Sequence, residues 1–284
     1  MPELPEVENV ARSLKPLEGK RLARLEVIDA RVWFESQLDP LHFHRLSLSE
    51  VARRGKYLVL RFSPEHVIVQ HLRMTGKMLD DGSALLPALL REDPEGPKRL
   101  QIRARFHFDQ RPMIFFDPRR FGTLTAIADE DAFFAEKGIA PDPIHQEPAA
   151  RQLFLKRLKD SERPIKPFLL DQSLAAGIGN IYADEALHRE GIHPETPAHK
   201  VKHPERLWET VLEILARSIE AGGSSIIDYV NAEGLRGSFS AQHLVYGREG
   251  EECVSCRAPI RRIVLGGRST HFCLHCQPKR FRRR

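Results

Sequence analysis

The 284 residues, 32.5 kDa in mass, are enough for two or three domains, and 41% hydrophobic and 29% charged residues are typical of a globular protein. We find neither an apolar run near the ~18 residues that span a bilayer nor a signal-peptide pattern, so we expect a cytoplasmic protein. The net charge of +5 and isoelectric point of about 9.1 favour a polyanionic partner. Nine Lys or Arg and no Asp or Glu lie from Cys253 to Arg284, which points to nucleic acid, although the last five residues alone fit a solvated basic tail equally well.

The chain begins "MPELPEVENV", so removal of Met1 would leave Pro2 as a secondary amine at the terminus. Apolar residues then recur at helical spacing and stop before Pro16: Val7, Val10, Ala11 and Leu14. This spacing predicts a first helix that begins almost at the terminus. The helix would hold the terminal amine close to an ordered element.

Strand-like runs follow the first helix, rich in β-branched and aromatic residues and separated by turn signals such as "DDG". The runs are "RLARLEVIDARV" (21–32), "KYLVLRF" (56–62), "HVIVQHLRM" (66–74), "QIRARFHFD" (101–109) and "PMIFFD" (112–117). They predict a β-sandwich or flattened barrel up to about residue 128, with the first helix packed beside it. Three prolines in "APDPIHQEP" (140–148) predict a linker.

The second half of the chain has helical periodicity. Asn180, after the turn "GIGN", is a plausible N-cap of a helix that stops at Gly191. A later helix begins at Pro204, ends at Gly222-Gly223 and has an apolar face: Leu207, Val211, Ile214, Leu215, Ser218 and Ile219. The "GIGN" turn suits a phosphate at a helix N-terminus, but such a turn alone is more often merely structural.

All four cysteines lie in the basic C-terminal segment, as "CVSC" and "CLHC" with sixteen residues between them. This spacing predicts a structural zinc site in which Cys253, Cys256, Cys273 and Cys276 supply four thiolates and leave no open position. Two disulfides are the alternative, which fits poorly with a cytosolic chain. The residues between the pairs predict a hairpin broken at Gly266-Gly267, and His275 is expected to be a surface residue rather than a ligand.

Several motifs occur together in one order: "MPELPEVE", "RRGKYL", "HLRMTG", "DPRRFG", "LLDQSLAAGIGNIYADEAL" and "GGRSTHFCLHCQ". In this combination the chain closely resembles the bacterial formamidopyrimidine-DNA glycosylases, from residue 2 to about residue 277. The resemblance implies an α+β protein with an N-terminal β-sandwich and flanking helices, a helix–two-turn–helix domain and a C-terminal zinc-finger β-hairpin. We therefore expect a catalytic domain at 1–128, a linker at 129–148, a helical DNA-binding domain at 149–240 and a zinc finger with a basic tail at 241–284.

The resemblance also implies the chemistry: removal of oxidised purines (8-oxoguanine and formamidopyrimidines) from duplex DNA, then strand cleavage by β,δ-elimination. Pro2 would be the nucleophile, Glu3 the proton donor and shuttle, and Lys56 and Arg268 the cations that contact phosphate and assist the eliminations. Taken alone, each of these residues also fits a role outside catalysis. Pro2 merely starts the chain, Glu3 is a helix-start acid, Lys56 a solvated residue and Arg268 a surface residue. Glu6 is less certain, because an acid is expected in a first helical turn anyway.

A nucleotide must leave the base stack before C1′ can react, and a wedge must fill the gap. The resemblance assigns the wedge to Met74, Arg119 and Phe121, although core packing is the usual role of a methionine or phenylalanine. It assigns phosphate contacts to Arg120, Lys166 and Asn180, with His71 a weaker candidate because a histidine in a strand is usually structural.

Two departures from the family pattern affect base preference. A Lys-His-Asp-His stretch of many relatives is replaced by "GPKRLQIRARF", so its DNA-contacting histidine is absent or replaced by Lys98, Arg99 or Arg103. The lesion-capping loop, often ending Gly-Tyr-Phe, reads "LRGSF" with Ser238. Leu4 nevertheless favours the purine branch, because the sister pyrimidine-lesion enzymes typically begin Met-Pro-Glu-Gly-Pro.

The expected partner is damaged double-stranded DNA, bound by a monomer that holds one structural Zn²⁺ and uses no small-molecule cofactor. A non-enzymatic zinc-dependent DNA-binding protein is the alternative from another class, but it would have no need of Pro2, Glu3 and Lys56 together. The same chemistry directed at oxidised pyrimidines is the other alternative.

Overall fold

The computed structural model describes residues 1–83, 101–109, 111–224 and 229–279. Lys98, Arg99 and the basic tail at 280–284 lie outside the described residues. The chain divides into two compact units, the first made of 1–137 with 221–238 and the second of 138–220 with 239–284. Within the described ranges, no helix combines the length and apolar character needed to cross a bilayer.

The first unit contains two four-stranded antiparallel sheets and the N-terminal helix α1, Leu4–Leu14. One sheet has the order β1 (Leu22–Val27), β6 (Ile102–Phe108), β7 (Met113–Phe116), β5 (Lys77–Asp80). The other has the order β2 (Glu50–Arg54), β3 (Tyr57–Ser63), β4 (His66–His71), β8 (Thr123–Ile127). One core cluster contains buried side chains of both sheets and of α1, among them Val10, Leu58 and Phe106. The predicted sandwich with a packed helix is confirmed.

Three strands of these sheets, each of four or five residues, were not predicted from the sequence: β2, β5 and β8. The predicted strand at 21–32 ends at Val27, and Ala30–Val32 form a 3₁₀ turn instead. Asp29 causes this change of direction, because its carboxylate accepts the N–H of Arg31 at 3.2 Å and so caps the turn. Residues 130–136, within the expected linker, form helix α2 (Glu130–Glu136), which Asp129 caps.

The segment 221–238 belongs to the first unit although it follows the helices of the second. Its Ala232 donates an N–H to Ser13 on α1 at 3.1 Å, and the Ala232 carbonyl accepts the N–H of Asp80 at 3.0 Å. The two stems of the segment touch at Gly237, where a Cβ would lie 2.1 Å from the carbonyl oxygen of Gly223. Only glycine permits that approach.

The second unit contains helices α3 (Glu147–Lys159), α4 (Ile165–Leu169), α5 (Asn180–Arg189) and α6 (Pro204–Glu220), and a hairpin of β9 (Ile260–Leu265) and β10 (Arg268–Cys273). Helix α6 begins at the predicted proline and buries the predicted apolar face. Asn180 is not the N-cap of α5, as the sequence suggested: Gly179 takes that position and Asn180 is the first helical residue. Gly266 and Gly267 both have positive φ, 58° and 73°, as a two-residue hairpin turn requires.

Candidate active site and nucleic-acid interface

The first three residues are held by the start of α1. Pro2 is partly exposed, whereas Glu3 is 4% exposed and occupies the N-cap position of the helix. The Glu3 N–H donates to one carboxylate oxygen of Glu6 at 2.9 Å, and the other oxygen of Glu6 accepts the N–H of Ser224 at 2.7 Å. Glu6 therefore fixes the backbone beside Pro2 and joins it to the segment at 221–238.

The turn that carries Lys56 is clamped to the same helix. Glu8 of α1 pairs with Arg53 of β2 at 2.9 Å, and Arg53 also donates to the carbonyl of Gly55 at 3.0 Å. The Arg53 side chain is fully buried, and Gly55 has a φ of 57° that favours glycine. Lys56 follows directly and is 6% exposed. The clamp thus holds the helix of Pro2 and Glu3 against the turn of Lys56.

His71, at the end of β4, is a neutral residue. Its Nδ1 accepts the N–H of Arg73 at 2.9 Å, and its ring packs edge-on against Tyr57, with 4.7 Å between centroids. Burial lowers the pKa of His71 to about 3, and the positive charges of Arg73 and Lys56 add to the effect. Because Nδ1 is the acceptor, the proton lies on Nε2. His71 is therefore suited to donate one neutral hydrogen bond and not to act as a cation.

The predicted wedge residues lie on two loops: the Met74 loop, residues 72–76 after β4, and the Arg119 loop, residues 117–122 between β7 and β8. Met74 is 51% exposed and Phe121 is 49% exposed, so neither packs in the core. The guanidinium of Arg119 lies over the Phe121 ring, 4.7 Å from its centroid. The core-packing alternative for these side chains is wrong.

Arg103, one of the suggested replacements for the missing histidine, is 3% exposed. Its guanidinium donates to the carbonyls of Asp117 (2.6 Å) and Pro118 (3.2 Å) and lies 3.5 Å from the Asp29 carboxylate. Burial lowers its pKa, as does the nearby Arg120, while Asp29 and Asp117 oppose that effect. Arg103 therefore supports the Arg119 loop from inside. Arg120 itself is more exposed and lies 3.4 Å from Asp29.

Lys166, on α4 of the second unit, is fully buried. Its ammonium lies 2.6 Å from the carboxylate of Asp184 on α5 and donates to the carbonyl of Ser269 on β10 at 2.6 Å. The same carboxylate accepts the backbone N–H of His271 at 2.9 Å. These contacts fasten the hairpin to two helices. Phosphate binding by Lys166 stays a prediction, and the structure favours a positioning role.

Asn180 contacts the strand that carries Arg268. The Asn180 amide donates to the hydroxyl of Ser269 at 3.2 Å, and Arg268 is the exposed neighbour of Ser269 at the hairpin turn. The turn before Asn180 is itself ordered by Gln172, which accepts the N–H of Gly177 at 2.9 Å. Lys166, Asn180 and Arg268 are thus brought together on this unit around Ser269.

The four cysteines form the predicted metal site. Their sulfur atoms all lie within 4.8 Å of one another, and two of the pairs are 3.8 Å (Cys253–Cys276) and 3.4 Å (Cys256–Cys273) apart. A tetrahedron with Zn–S bonds of about 2.3 Å requires edges of about 3.8 Å, so the shell fits zinc. No disulfide joins any two of the four cysteines, and their mutual spacing favours the metal site over two disulfides. His275 is exposed, as expected.

Electrostatics at the cluster also call for a cation. Burial raises the pKa of Cys276, and the three neighbouring thiols raise it further. For Cys253, burial opposes ionisation, but the N–H groups of Ser255 and Cys256 and the side chain of His188 lower its pKa to about 6. Four thiolates at these distances repel one another, so a bound divalent cation is what keeps all four deprotonated.

Sequence reasoning missed the acids that hold these groups: Glu8, Asp117 and Asp184. Each is buried and has a partner outside its own motif, so the spacing of residues within a motif did not reveal its role. Asp117 alone carried a local signal, since an acid between a β-strand and "PRRFG" starts a turn.

One unit of the chain is a β-sandwich with exposed apolar and cationic loops, and the other carries a hairpin with four cysteines. These features define the class of zinc-stabilised DNA-binding proteins. Residues 1–124 match the family described as "Formamidopyrimidine-DNA glycosylase N-terminal domain", and residues 139–229 match its "H2TH domain". Residues 250–279 match the "Zinc finger found in FPG and IleRS".

Whole-chain relatives agree with these matches. A formamidopyrimidine-DNA glycosylase of Solibacter usitatus is 39% identical, over 98% of this chain and all of its own. The crystal structure of MutM (Fpg) from Thermus thermophilus has a TM-score of 0.82 at 37% identity and covers 97% of this chain and 98% of its own. Lactococcus lactis Fpg in complex with abasic-site DNA has a TM-score of 0.83 at 34% identity, over 98% of this chain and 100% of its own. The chain belongs to the formamidopyrimidine-DNA glycosylase family.

Proposed function

We propose that this chain is a base-excision DNA repair enzyme that removes oxidised purines from duplex DNA and cleaves the resulting abasic site. The observation that carries the proposal is the N-terminal Pro2–Glu3 pair, which α1 holds in place on a whole-chain member of a DNA glycosylase family. Its relatives from Lactococcus lactis were crystallised with Fapy-dG-containing and abasic-site DNA.

The nucleophile is the amine of Pro2 after removal of Met1. A terminal amine titrates near 7.7–8.0 in model peptides, against about 10.4 for lysine, so an appreciable fraction is neutral at physiological pH. Its lone pair attacks C1′ of the damaged nucleotide, and the bond from C1′ to the base breaks with its electron pair going to the base. Glu3 supplies the proton that the leaving group or the sugar needs.

The amine then loses its proton and the sugar ring opens: the C1′–O4′ bond breaks, and O4′ takes up a proton from Glu3. The covalent product is an iminium at C1′, which acidifies the C2′ proton. Loss of that proton expels the 3′-phosphate, and a second elimination expels the 5′-phosphate. Glu3 is buried next to the amine, so it is also placed to shuttle protons between these steps. Lys56, in the turn clamped to the same helix, contacts the phosphate beside the lesion.

Binding to DNA uses both units. On the first, Met74 and Phe121 intercalate where the damaged nucleotide has left the stack, and Arg119 hydrogen-bonds the orphaned base. Arg120 and His71 contact the backbone, the latter as a neutral donor. On the second, Arg268 and Asn180 contact phosphate, and the zinc ion stabilises the hairpin that carries Arg268 without taking part in the chemistry.

We place the enzyme in the bacterial cytoplasm, acting as a monomer on chromosomal DNA without a small-molecule cofactor. The bacterial origin of the relatives and the basic character of the chain support this assignment. Damaged duplex DNA is its partner.

Borohydride trapping tests the proposal. Met-processed, zinc-loaded protein is incubated with duplex DNA that contains 8-oxoguanine opposite cytosine, beside a variant with residues inserted before Pro2. We expect a covalent adduct from the wild type alone. An adduct only with an abasic-site duplex would retain the lyase and overturn the base preference, and a duplex with an oxidised pyrimidine tests that alternative. No adduct with any of these would mean that the chain binds DNA without cutting it.

A further inference from the structure

Asp117, the first residue of the Arg119 loop, has no part in the proposed chemistry or DNA contacts. It directly follows β7, is fully buried, and its own N–H donates to the carbonyl of Gln101 at 2.9 Å. Because a buried carboxylate needs several donors, its partners show what it holds.

One carboxylate oxygen joins the two loops. Oδ1 of Asp117 accepts the hydroxyl of Thr75 on the Met74 loop at 2.5 Å and the N–H of Arg119 at 3.2 Å. Oδ2 accepts the N–H of Gly122, at the far end of the Arg119 loop, at 2.7 Å. Thr75 is next to Met74, and Gly122 is next to Phe121, so each hydrogen bond fixes the backbone beside a wedge side chain.

Each of the two loops contains one non-glycine residue with an unfavourable, positive φ. Arg73 and Arg120 have φ angles of 53° and 59°, and they directly precede Met74 and Phe121. Non-glycine residues adopt such angles only where the surroundings hold them there. Hydrogen bonds from Arg73 to His71 and from Arg120 to the Asp117 carbonyl, at 2.9 and 3.3 Å, are part of that support.

Packing against Phe115 restricts the positions that the two loops can adopt. The Phe115 ring lies below both of them: a Cβ on Gly76 would come within 3.0 Å of it, and a Cβ on Gly122 within 2.6 Å. The same Cβ on Gly122 would lie 3.2 Å from Oδ2 of Asp117. The Phe115 ring and the Asp117 carboxylate together fix the distance between the two loops.

We propose that Asp117 is a positioning residue that sets the spacing between Met74 and the Arg119–Phe121 pair, and thereby the enzyme's flipping efficiency and opposite-base preference. The inference rests on the proposed function, because it assumes that the loops form the wedge. Asp117 touches no substrate. It acts through the geometry of three side chains that do.

Two variants separate this role from general stability. Thr75→Val removes only the hydrogen bond between the loops and keeps the side-chain shape. Asp117→Asn removes the charge and turns one acceptor into a donor that faces an N–H group. Asp131→Asn, on the exposed surface of α2, is the matched control.

Two single-turnover rates are measured for each protein: excision of 8-oxoguanine opposite cytosine or adenine in duplex DNA, and cleavage of an abasic site in single-stranded DNA, where no stack has to be filled. We expect Thr75→Val to lower duplex excision about tenfold, the factor of one charge-assisted hydrogen bond, and Asp117→Asn to lower it further. Arg119 is proposed to contact the orphaned base, so any difference between the rates opposite cytosine and opposite adenine should shrink in both variants. Single-strand cleavage should stay within about twofold of wild type, as should every rate of the control.

The outcomes are distinct. Unchanged duplex excision and base preference in both variants would overturn the inference, as would equal losses on duplex and single-strand substrates, which would mean a general structural defect. A wild type that is inactive on both substrates would instead overturn the proposed function, and this inference with it. Thermal melting of each variant accompanies the rates, so that a loss of fold is seen directly.

Discussion

Replacing Lys166 by methionine tests whether this lysine holds the hairpin or binds DNA. The ammonium lies 2.6 Å from the carboxylate of Asp184, and the two side chains are 0% and 1% exposed. Methionine retains the apolar stem but leaves the buried carboxylate without its cation. Breaking one side of a buried ion pair costs about 3–5 kcal/mol, a large part of the ~5–15 kcal/mol that stabilises a typical domain.

Thermal and chemical unfolding measure this loss, with Lys156→Met on the exposed face of α3 as the matched control. A loss of this size lowers the melting temperature by roughly 6–20 °C, at about 2–4 °C per kcal/mol for 150–250 residues. The control should change the unfolding free energy by no more than about 0.5 kcal/mol. The double variant Lys166→Met, Asp184→Asn should recover part of the loss, because it no longer leaves an uncompensated charge.

Salt dependence of DNA binding then separates the two roles. A lysine that neutralises one phosphate contributes about 0.9 to the slope of log Kd against log salt. If Lys166 is a positioning residue, its replacement weakens binding but leaves the slope of the wild type. A slope reduced by about 0.9, together with a stability change below about 1 kcal/mol, would refute the positioning role.

Three further predictions follow from contacts in the two units. The folded pKa of His71, about 3, lies below the ordinary value near 6.5, so folding disfavours the protonated form, and the free energy of unfolding should fall by up to about 1.4 kcal/mol per pH unit below about pH 6.5. In urea unfolding at pH 7, 6 and 5, His71→Gln should flatten this dependence, whereas His203→Gln, at an exposed site, should not. His188 lies 3.5 Å from the sulfur of Cys253, so His188→Leu should speed zinc transfer to a chromogenic chelator by about tenfold, whereas the same change at exposed His275 should not; equal release rates would contradict an outer-shell role. Gly122→Ala should destabilise the protein by about 1–3 kcal/mol, because its Cβ would lie 2.6 Å from the Phe115 ring, while Gly82→Ala, with its nearest contact at 3.4 Å, should be tolerated in the same melting experiment.

Features encoded by neighbouring residues were predictable from the sequence. The hairpin follows from two adjacent glycines, the thiolate cluster from two Cys-x-x-Cys pairs, and α6 from an apolar face that repeats over 17 residues. In each case the local pattern and the final contacts agree, so tertiary structure had nothing to override. The reverse holds for β2, β5 and β8, which are short and acquire their partners only when the sheets assemble.

The orientation of charged side chains was the part that sequence could not supply. Lys166 and Arg103 were expected near DNA from the family resemblance, yet both side chains face inward. The partner of Lys166 in the hairpin, Ser269, is 103 residues away, and the carbonyls that Arg103 contacts follow it by 14 and 15 residues. Burial of a charge depends on such remote partners, which no spacing within a motif reveals.

This inward use of cations changes what the net charge of +5 means for DNA binding. Arg53, Arg103 and Lys166 are paired inside their own units with Glu8, Asp29 and Asp184. The side chains of these three cations are no more than 3% exposed, so they are not available to neutralise a phosphate. Besides the proposed contact of Lys56, the cations left for DNA are exposed ones, such as Arg119, Arg120 and Arg268. The slope of log Kd against log salt should therefore depend on the number of exposed cations that contact phosphate. Replacing Arg53, Arg103 or Lys166 should leave that slope unchanged, even where it weakens affinity by loosening the loops or the hairpin.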